Sequence, residues 1–220
     1  MQRFIYLIFG IVLTTLFGIA QAAVVYDNGG PTDFSASETT AFTQAEDFRI
    51  AGGATIGGVT VYLGVLPGAS WDGTLQYFFY SNVAGTPDAV LASGTGQNQV
   101  VTSGISWCCD GDAFRLDFDL ETAFSAADNT TYWLGVHAST DFDTDDVYLI
   151  STDFNSTLES RQCFGCTAGA FTEDPAGALE HAFQLNGTGG SLPELPEPGS
   201  LALLGLGLAG LAFRQRRRSL

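Results

Sequence analysis

Four cysteines, two histidines, three tryptophans and one dense run of aspartates are the residues of this 220-residue chain whose types and spacing could do chemistry. The cysteines fall as two close pairs, Cys108-Cys109 and Cys163-Phe164-Gly165-Cys166. Four thiolates could hold zinc, but adjacent cysteines break the paired spacing that a tetrahedral site uses. The second pair has redox spacing, yet no strand-helix-strand pattern surrounds it. An even number of cysteines outside the cytosol points to disulfides instead. A vicinal ring would be strained, so the 108/109 turn is expected to pair with the 163/166 loop. Such a bridge spans about 55 residues and would stabilise by about 4 kcal/mol through lost chain entropy.

Asp141-Phe142-Asp143-Thr144-Asp145-Asp146 alternates carboxylates as a hard-cation loop does. As an EF-hand it fails, because position 6 is Asp146 rather than Gly and position 12 is Thr152 rather than Glu. A solvated acidic loop is the simpler reading; a less regular calcium site on Asp141, Asp143, Asp145 and Asp146 is the alternative. No cofactor is expected to be required, and calcium would be structural. His137 and His181 stand far apart, without H-E-x-x-H or G-x-S-x-G, and Glu180-His181 reads as a surface pair where a strand begins. Carboxylate pairs such as Asp117/Asp119 make a wet strand face, since residues two apart share a side. No catalytic residue is assigned, and the chain is not expected to be an enzyme. Trp133 would share a strand face with Gly135 and His137, opposite Tyr132, Leu134 and Val136. Trp133 and His137 could therefore form a shallow glycan platform, although a core role for Trp133 is the plainer reading.

These residues need a scaffold, and composition says which kind. Frequent Gly, abundant Phe, Thr and Val, and the absence of Lys argue against a helical bundle. Phe114-Arg115-Leu116-Asp117-Phe118-Asp119-Leu120 alternates with the period of a half-buried strand. Val59 to Leu63, Leu75 to Tyr80, Tyr132 to His137 and Ala182 to Leu185 continue the series, with Gly and Asp-Gly turns between them. About eight to ten strands are expected in an all-β fold, a single antiparallel β-sandwich of jelly-roll type over residues 23–186. Residues 187–195, rich in Gly, Ser and Pro, read as a linker.

The net charge is −16, and between Ala23 and Pro198 three arginines stand against all 24 acids. Such a body repels phosphate backbones, so nucleic acid is excluded as a partner. Without lysine there is no phosphate-gripping P-loop and no Schiff-base catalyst.

The two ends are addresses. Arg3 precedes an apolar run, and Ala20-Gln21-Ala22 presents small residues two apart, so residues 1–22 read as a signal peptide cut before Ala23. The expected partners are the Sec translocon and signal peptidase. At the other end Pro196-Glu197-Pro198 leads into an apolar stretch, residues 199–213, and then Arg214-Gln215-Arg216-Arg217-Arg218. As a helix that stretch is about 22 Å long, a short transmembrane segment whose arginines stay cytoplasmic. Gly205 to Gly210 spells G-x-G-x-x-G, but no strand precedes it and no crossover follows, so the match is compositional.

This order of parts over residues 196–220 resembles the PEP-CTERM sorting signal of Gram-negative bacteria. The resemblance implies processing by exosortase, with Pro196, Glu197, Pro198, Arg214, Arg216, Arg217 and Arg218 as recognition elements in a substrate. It also implies an inner-membrane-anchored precursor with a periplasmic body, then a cell-surface or matrix protein linked to exopolysaccharide or biofilm. The body loosely resembles uncharacterised β-rich domains found with this tail, which carry no known activity. A structural or adhesive role is therefore expected, with a calcium-dependent carbohydrate-binding module as the alternative and a secreted hydrolase third.

Overall fold

The computed structural model describes residues 23–32, 35–153, 158–173 and 180–190. The expected signal peptide and the 196–220 tail, with its 199–213 helix, lie outside the described residues. The strands run in the order β1 (Ala23–Asp27), β2 (Ala36–Glu38), β3 (Phe42–Arg49), β4 (Ala54–Val65), β5 (Gln76–Val83), β6 (Thr86–Thr95) and β7 (Gln97–Ser103). Then come β8 (Asp112–Ala126), β9 (Thr131–His137), β10 (Val147–Thr152), β11 (Arg161–Phe164), β12 (Thr172–Glu173), β13 (Glu180–His181) and β14 (Phe183–Gly189). No helix occurs among the described residues. Fourteen strands exceed the expected eight to ten because β2, β11, β12 and β13 have only two to four residues, too few to display alternation.

Two antiparallel sheets form. One follows β12-β11-β3-β9-β5-β6. The other centres on β4, which pairs along its length with β8 on one edge and with β14 and β10 on the other. β1 extends it beyond β14, β2 and β13 join β10, and β7 joins β8. Between the sheets, Phe114, Leu116, Phe118 and Leu120 of β8 are buried as their alternation requires, against Phe48, Phe79, Leu134 and Val136 of the other sheet. Phe79 and Phe124 stack across this core with ring centres 4.3 Å apart.

Both outer faces are also covered, which alternation alone does not reveal. Over the β3/β9/β5 sheet, Ala45, Phe78, Tyr80, Trp133, Cys163 and Phe171 make a second core. Over the other sheet, Tyr62, Ala113, Ile150 and Ala182 gather with Ile105 and Trp107 against them.

That division corrects the expected disulfides. Cys108 bonds Cys109 and Cys163 bonds Cys166. The 108/109 turn follows Trp107 on one outer face, whereas Cys163 belongs to the core on the opposite face. Sheets stack about 10 Å apart, and bridged cysteines need Cα atoms within about 7 Å, so the cross-pairing would have to pass through the sandwich. Because the Cys163–Cys166 loop is only a few residues long, its chain-entropy contribution falls to about 2 kcal/mol. Trypsin cutting after Arg115 and Arg161, without reductant, is expected to release the two cysteine pairs on separate peptides. A single linked species would restore the long bridge.

The expected linker also shifts. β14 continues through Gly189, with Gly187, Thr188 and Gly189 paired to Ile56, Thr55 and Ala54. A Cβ on Gly187 would stand 2.0 Å from the Thr55 carbonyl oxygen, so this glycine serves close backbone approach at a bulge rather than flexibility. The compact unit reaches Gly190, and what remains of residues 187–195 as a linker lies beyond it.

Candidate functional site

The two glycan-platform residues do not face solvent. Trp133 is 0% exposed, in the second core, and its Nε1 donates to Asn82 Oδ1 at 2.9 Å. His137, equally buried, has Nδ1 3.1 Å from the Phe42 carbonyl oxygen and Nε2 2.7 Å from that of Asp141. Its ring stacks on Phe142 with centres 4.4 Å apart. Trp133 thus fills a core, and His137 ties the 139–146 loop to β3. The platform reading is overturned by this burial.

The 141–146 loop does not gather its carboxylates. Asp141 Oδ1 accepts from the Ser139 hydroxyl at 3.1 Å and the Asp143 amide at 3.3 Å, and Asp146 Oδ1 accepts from the Tyr148 hydroxyl at 3.4 Å. These are bonds of a self-capped turn, with Asp141, Asp143 and Asp145 exposed. No three of the four aspartates bring carboxylate oxygens within 4.8 Å of one another. In this structure the segment is a self-capped acidic turn.

Carboxylates do converge elsewhere. Glu46, Asp47 and Glu180 bring one oxygen each within 4.8 Å, and all three are buried. β3 places Glu46 on the same side as Phe48, so the acid points between the sheets. β13 lays Glu180 and His181 across that side, where both are buried rather than at the surface as the sequence suggests. Glu46 Oε2 accepts the His181 backbone amide at 2.8 Å and lies 3.2 Å from His181 Nδ1. Glu46 also shares a side-chain hydrogen bond with Glu180. Tyr26 and Asn28 close the group: the Tyr26 hydroxyl donates to Asn28 Oδ1 at 3.0 Å, and Asn28 Nδ2 donates to the His181 carbonyl at 2.9 Å.

Burial governs the electrostatics here. Desolvation, opposed in part by the bonds to Glu180 and His181 and reinforced by Asp47, pushes the Glu46 carboxyl up to about 8. Desolvation and then the charges of Asp47, Glu46 and Glu180 push the Tyr26 phenol upward as well. A proton held on Glu46 lowers the charge that this group buries in the interior. No motif surrounds Glu46 in the sequence. The signal was its two-residue spacing from Phe48.

One open groove of about 550 Å³ lies at the rim of the sandwich, lined by Trp71, Phe114, Val65, Val101, Ser103 and Asp112 among others. Trp71 stacks on Phe114 with centres 5.5 Å apart, and its Nε1 donates to the Thr74 carbonyl at 2.8 Å. Apolar walls with a few polar groups are the usual lining of a small-molecule cleft.

An acidic antiparallel sandwich with buried histidines and locally closed disulfides defines a class of extracytoplasmic β-domain rather than an activity. The tail supplies the rest. Residues 194–218 match the family described as the PEP-CTERM protein-sorting motif. No curated protein matches the chain. The chain therefore carries a PEP-CTERM sorting motif, which makes it an exported protein, sorted by exosortase from a membrane-anchored precursor for display at the cell surface. The expected recognition residues Pro196, Glu197, Pro198, Arg214, Arg216, Arg217 and Arg218 fall within that match and outside the described residues. So do Ala20 and Ala22 fall outside them, whereas Ala23 opens β1 opposite Gly187.

Proposed function

We propose that this protein is a non-catalytic structural or adhesive component of the cell surface or extracellular matrix, associated with exopolysaccharide. The observation that carries the reading is the sorting motif at residues 194–218, joined to a body whose chemistry is turned inward. Both histidines are buried, one between backbone carbonyls and the other against Glu46, so neither is presented to a substrate. Calcium is not needed for this role.

A carbohydrate-binding role is favoured by a specific feature, the Trp71/Phe114 groove. An aromatic wall beside Ser103 and Asp112 combines stacking with hydrogen bonding, as neutral sugars require.

The test begins with intact mass. Protein recovered from the matrix of the producing cells is expected to start at Ala23, to end between Pro196 and Pro198, and to be four hydrogens lighter than its reduced sequence. Replacing Arg216, Arg217 and Arg218 together by glutamine is expected to leave precursor unprocessed, since the positive anchor that orients the tail is lost. Wild-type protein that retains Gly199 to Leu220 at its final location would make the tail a plain anchor. Deletion of the protein should weaken cell attachment. Product release when purified protein is incubated with the host polysaccharide would overturn the non-catalytic reading.

A further inference from the structure

The free edges of the two sheets lie on one continuous stretch of chain. β6 ends its sheet beside β5, β7 ends the other sheet beside β8, and Gly96 alone separates them. A Cβ on Gly96 would stand 2.9 Å from the Phe118 ring, so the crossover is pressed against the core and both strands stay on one side of the sandwich. Among the described residues no further strand pairs with either one, although at the crossover the Thr95 amide donates to Glu121 Oε1 at 3.1 Å and Asn98 Nδ2 to Asp119 Oδ2 at 2.9 Å.

Such edges ordinarily carry charge, proline or a bulge that blocks further pairing. The other outer strands here are protected. β12 and β13 have two residues each and contain Glu173 and Glu180, and β1 ends at Asp27. β6 has Pro87 and Asp88 at its start and an irregular register against β5 around Val90, so its regular pairing is confined to Ala92–Thr95. From Ala89 through Cys109, 21 consecutive residues contain no Asp, Glu, Lys, Arg or His. In a chain of net charge −16 this is a long uncharged run, and among the described residues much of it is exposed.

It is also where apolar side chains are left out. Val83, Val90, Leu91, Val100 and Val101 are five of the six large exposed hydrophobics among the described residues, and all lie on β5 to β7. The register of β7 shifts between Gln97 and Val100, where Asn98 has a φ of 49°. Beyond that irregularity Val100–Ser103 runs in regular pairing against Phe114–Asp117. Val101, opposite Leu116, lies on the inward side at the groove mouth, and Val100, opposite Asp117, on the outward side.

We propose that the β6–β7 edge is a self-association surface, on which a second copy of this chain adds its own β7 antiparallel to the first. Charge selects that occupant. Two acidic bodies repel wherever carboxylates face each other, and the Val100–Ser103 segment, past the Glu121 and Asp119 carboxylates bonded at Thr95, Gln97 and Asn98, is where they can meet at least cost. An antiparallel strand edge is complementary to itself about a two-fold axis, so the same unpaired N–H and C=O groups serve both partners. Val100 and Val101 of the two copies then cover one another, and the exposed apolar strip is removed from water. This goes beyond a surface role in general, and it needs no polysaccharide.

The test is sedimentation velocity on the processed protein recovered from its host, between about 1 and 100 µM, the range in which moderate protein association is read. Wild type is expected to self-associate, and more tightly at ~0.5 M than at ~0.05 M salt, because screening relieves repulsion between the bodies. Val101→Glu places a carboxylate at the two-fold contact and is expected to weaken association at least roughly tenfold. The exposed position should keep the variant's melting temperature within about 2 °C of wild type, so a folding defect is told apart from a lost contact. Monomer throughout the range at both salts, or association unchanged in Val101→Glu, would overturn the proposal.

Discussion

Trp133→Ala is expected to destabilise the domain by about 3–5 kcal/mol, read as a fall in urea midpoint without a change in slope. The indole is 0% exposed and packs with Phe78, Tyr80 and Phe171 over the outer face of the β3/β9/β5 sheet. Truncation would open a cavity there and leave Asn82 Oδ1 without its donor at 2.9 Å. Against a total stability of roughly 5–15 kcal/mol, that loss removes a third or more of the margin. Trp133→Phe keeps most of the volume and loses the N–H, so about 1–2 kcal/mol is expected. The pair of variants separates packing from hydrogen bonding. A solvent-facing sugar platform would behave differently, with either change costing less than about 0.5 kcal/mol. An unchanged midpoint in Trp133→Ala would remove the second core from the account.

How far the fold could be read from the sequence depended on whether a residue's neighbours lie on its own strand. Phe114, Leu116, Phe118 and Leu120 announce a buried face because alternation is a local property, and they are buried. The tail is legible for a similar reason, since a linear motif is recognised without folding. Trp133 was harder. Alternation places it on the outward side of β9, which in a sandwich ordinarily meets water, and among the described residues Leu158, Cys163, Cys166 and Phe171 gather over it. The same missing information defeated the disulfide assignment. Spacing cannot say that Trp107-Cys108-Cys109 and Cys163 belong to opposite faces, whereas the two outer cores decide it at once. Glu180-His181 looked superficial for want of its partner, because a two-residue strand carries no period of its own. The edge at β6 and β7 shows the opposite case. Its lack of charge over Ala89–Cys109 is visible in the sequence, but that it borders both sheets is visible only in the fold.

Glu46 makes the stability of this protein depend on pH in a direction unusual for a carboxylate. Its carboxyl rises from an ordinary value of 4.5 to about 8, chiefly by desolvation. Between those values the unfolded chain has released this proton while the folded chain still holds it. The native state therefore binds more protons, and its stability falls as pH rises through that window, levelling off above about 8. One proton changes stability by at most about 1.4 kcal/mol per pH unit. The groups facing Glu46 are Asp47 on its own strand, Glu180 and His181 on β13, and Tyr26 on β1. Glu46→Gln keeps an oxygen to accept the His181 amide and removes the ionisation. It is expected to raise the melting temperature at pH 8 to 9 by several degrees, at roughly 2–4 °C per kcal/mol. At pH 5, where Glu46 is already neutral, the variant should melt close to wild type. Asp88→Asn, at an exposed position, is the control for general relief of negative charge and should shift both conditions alike and slightly. A wild-type melting temperature that rises from pH 5 to pH 8, or a Glu46→Gln profile parallel to wild type, would show that the buried carboxyl is ionised in the folded protein.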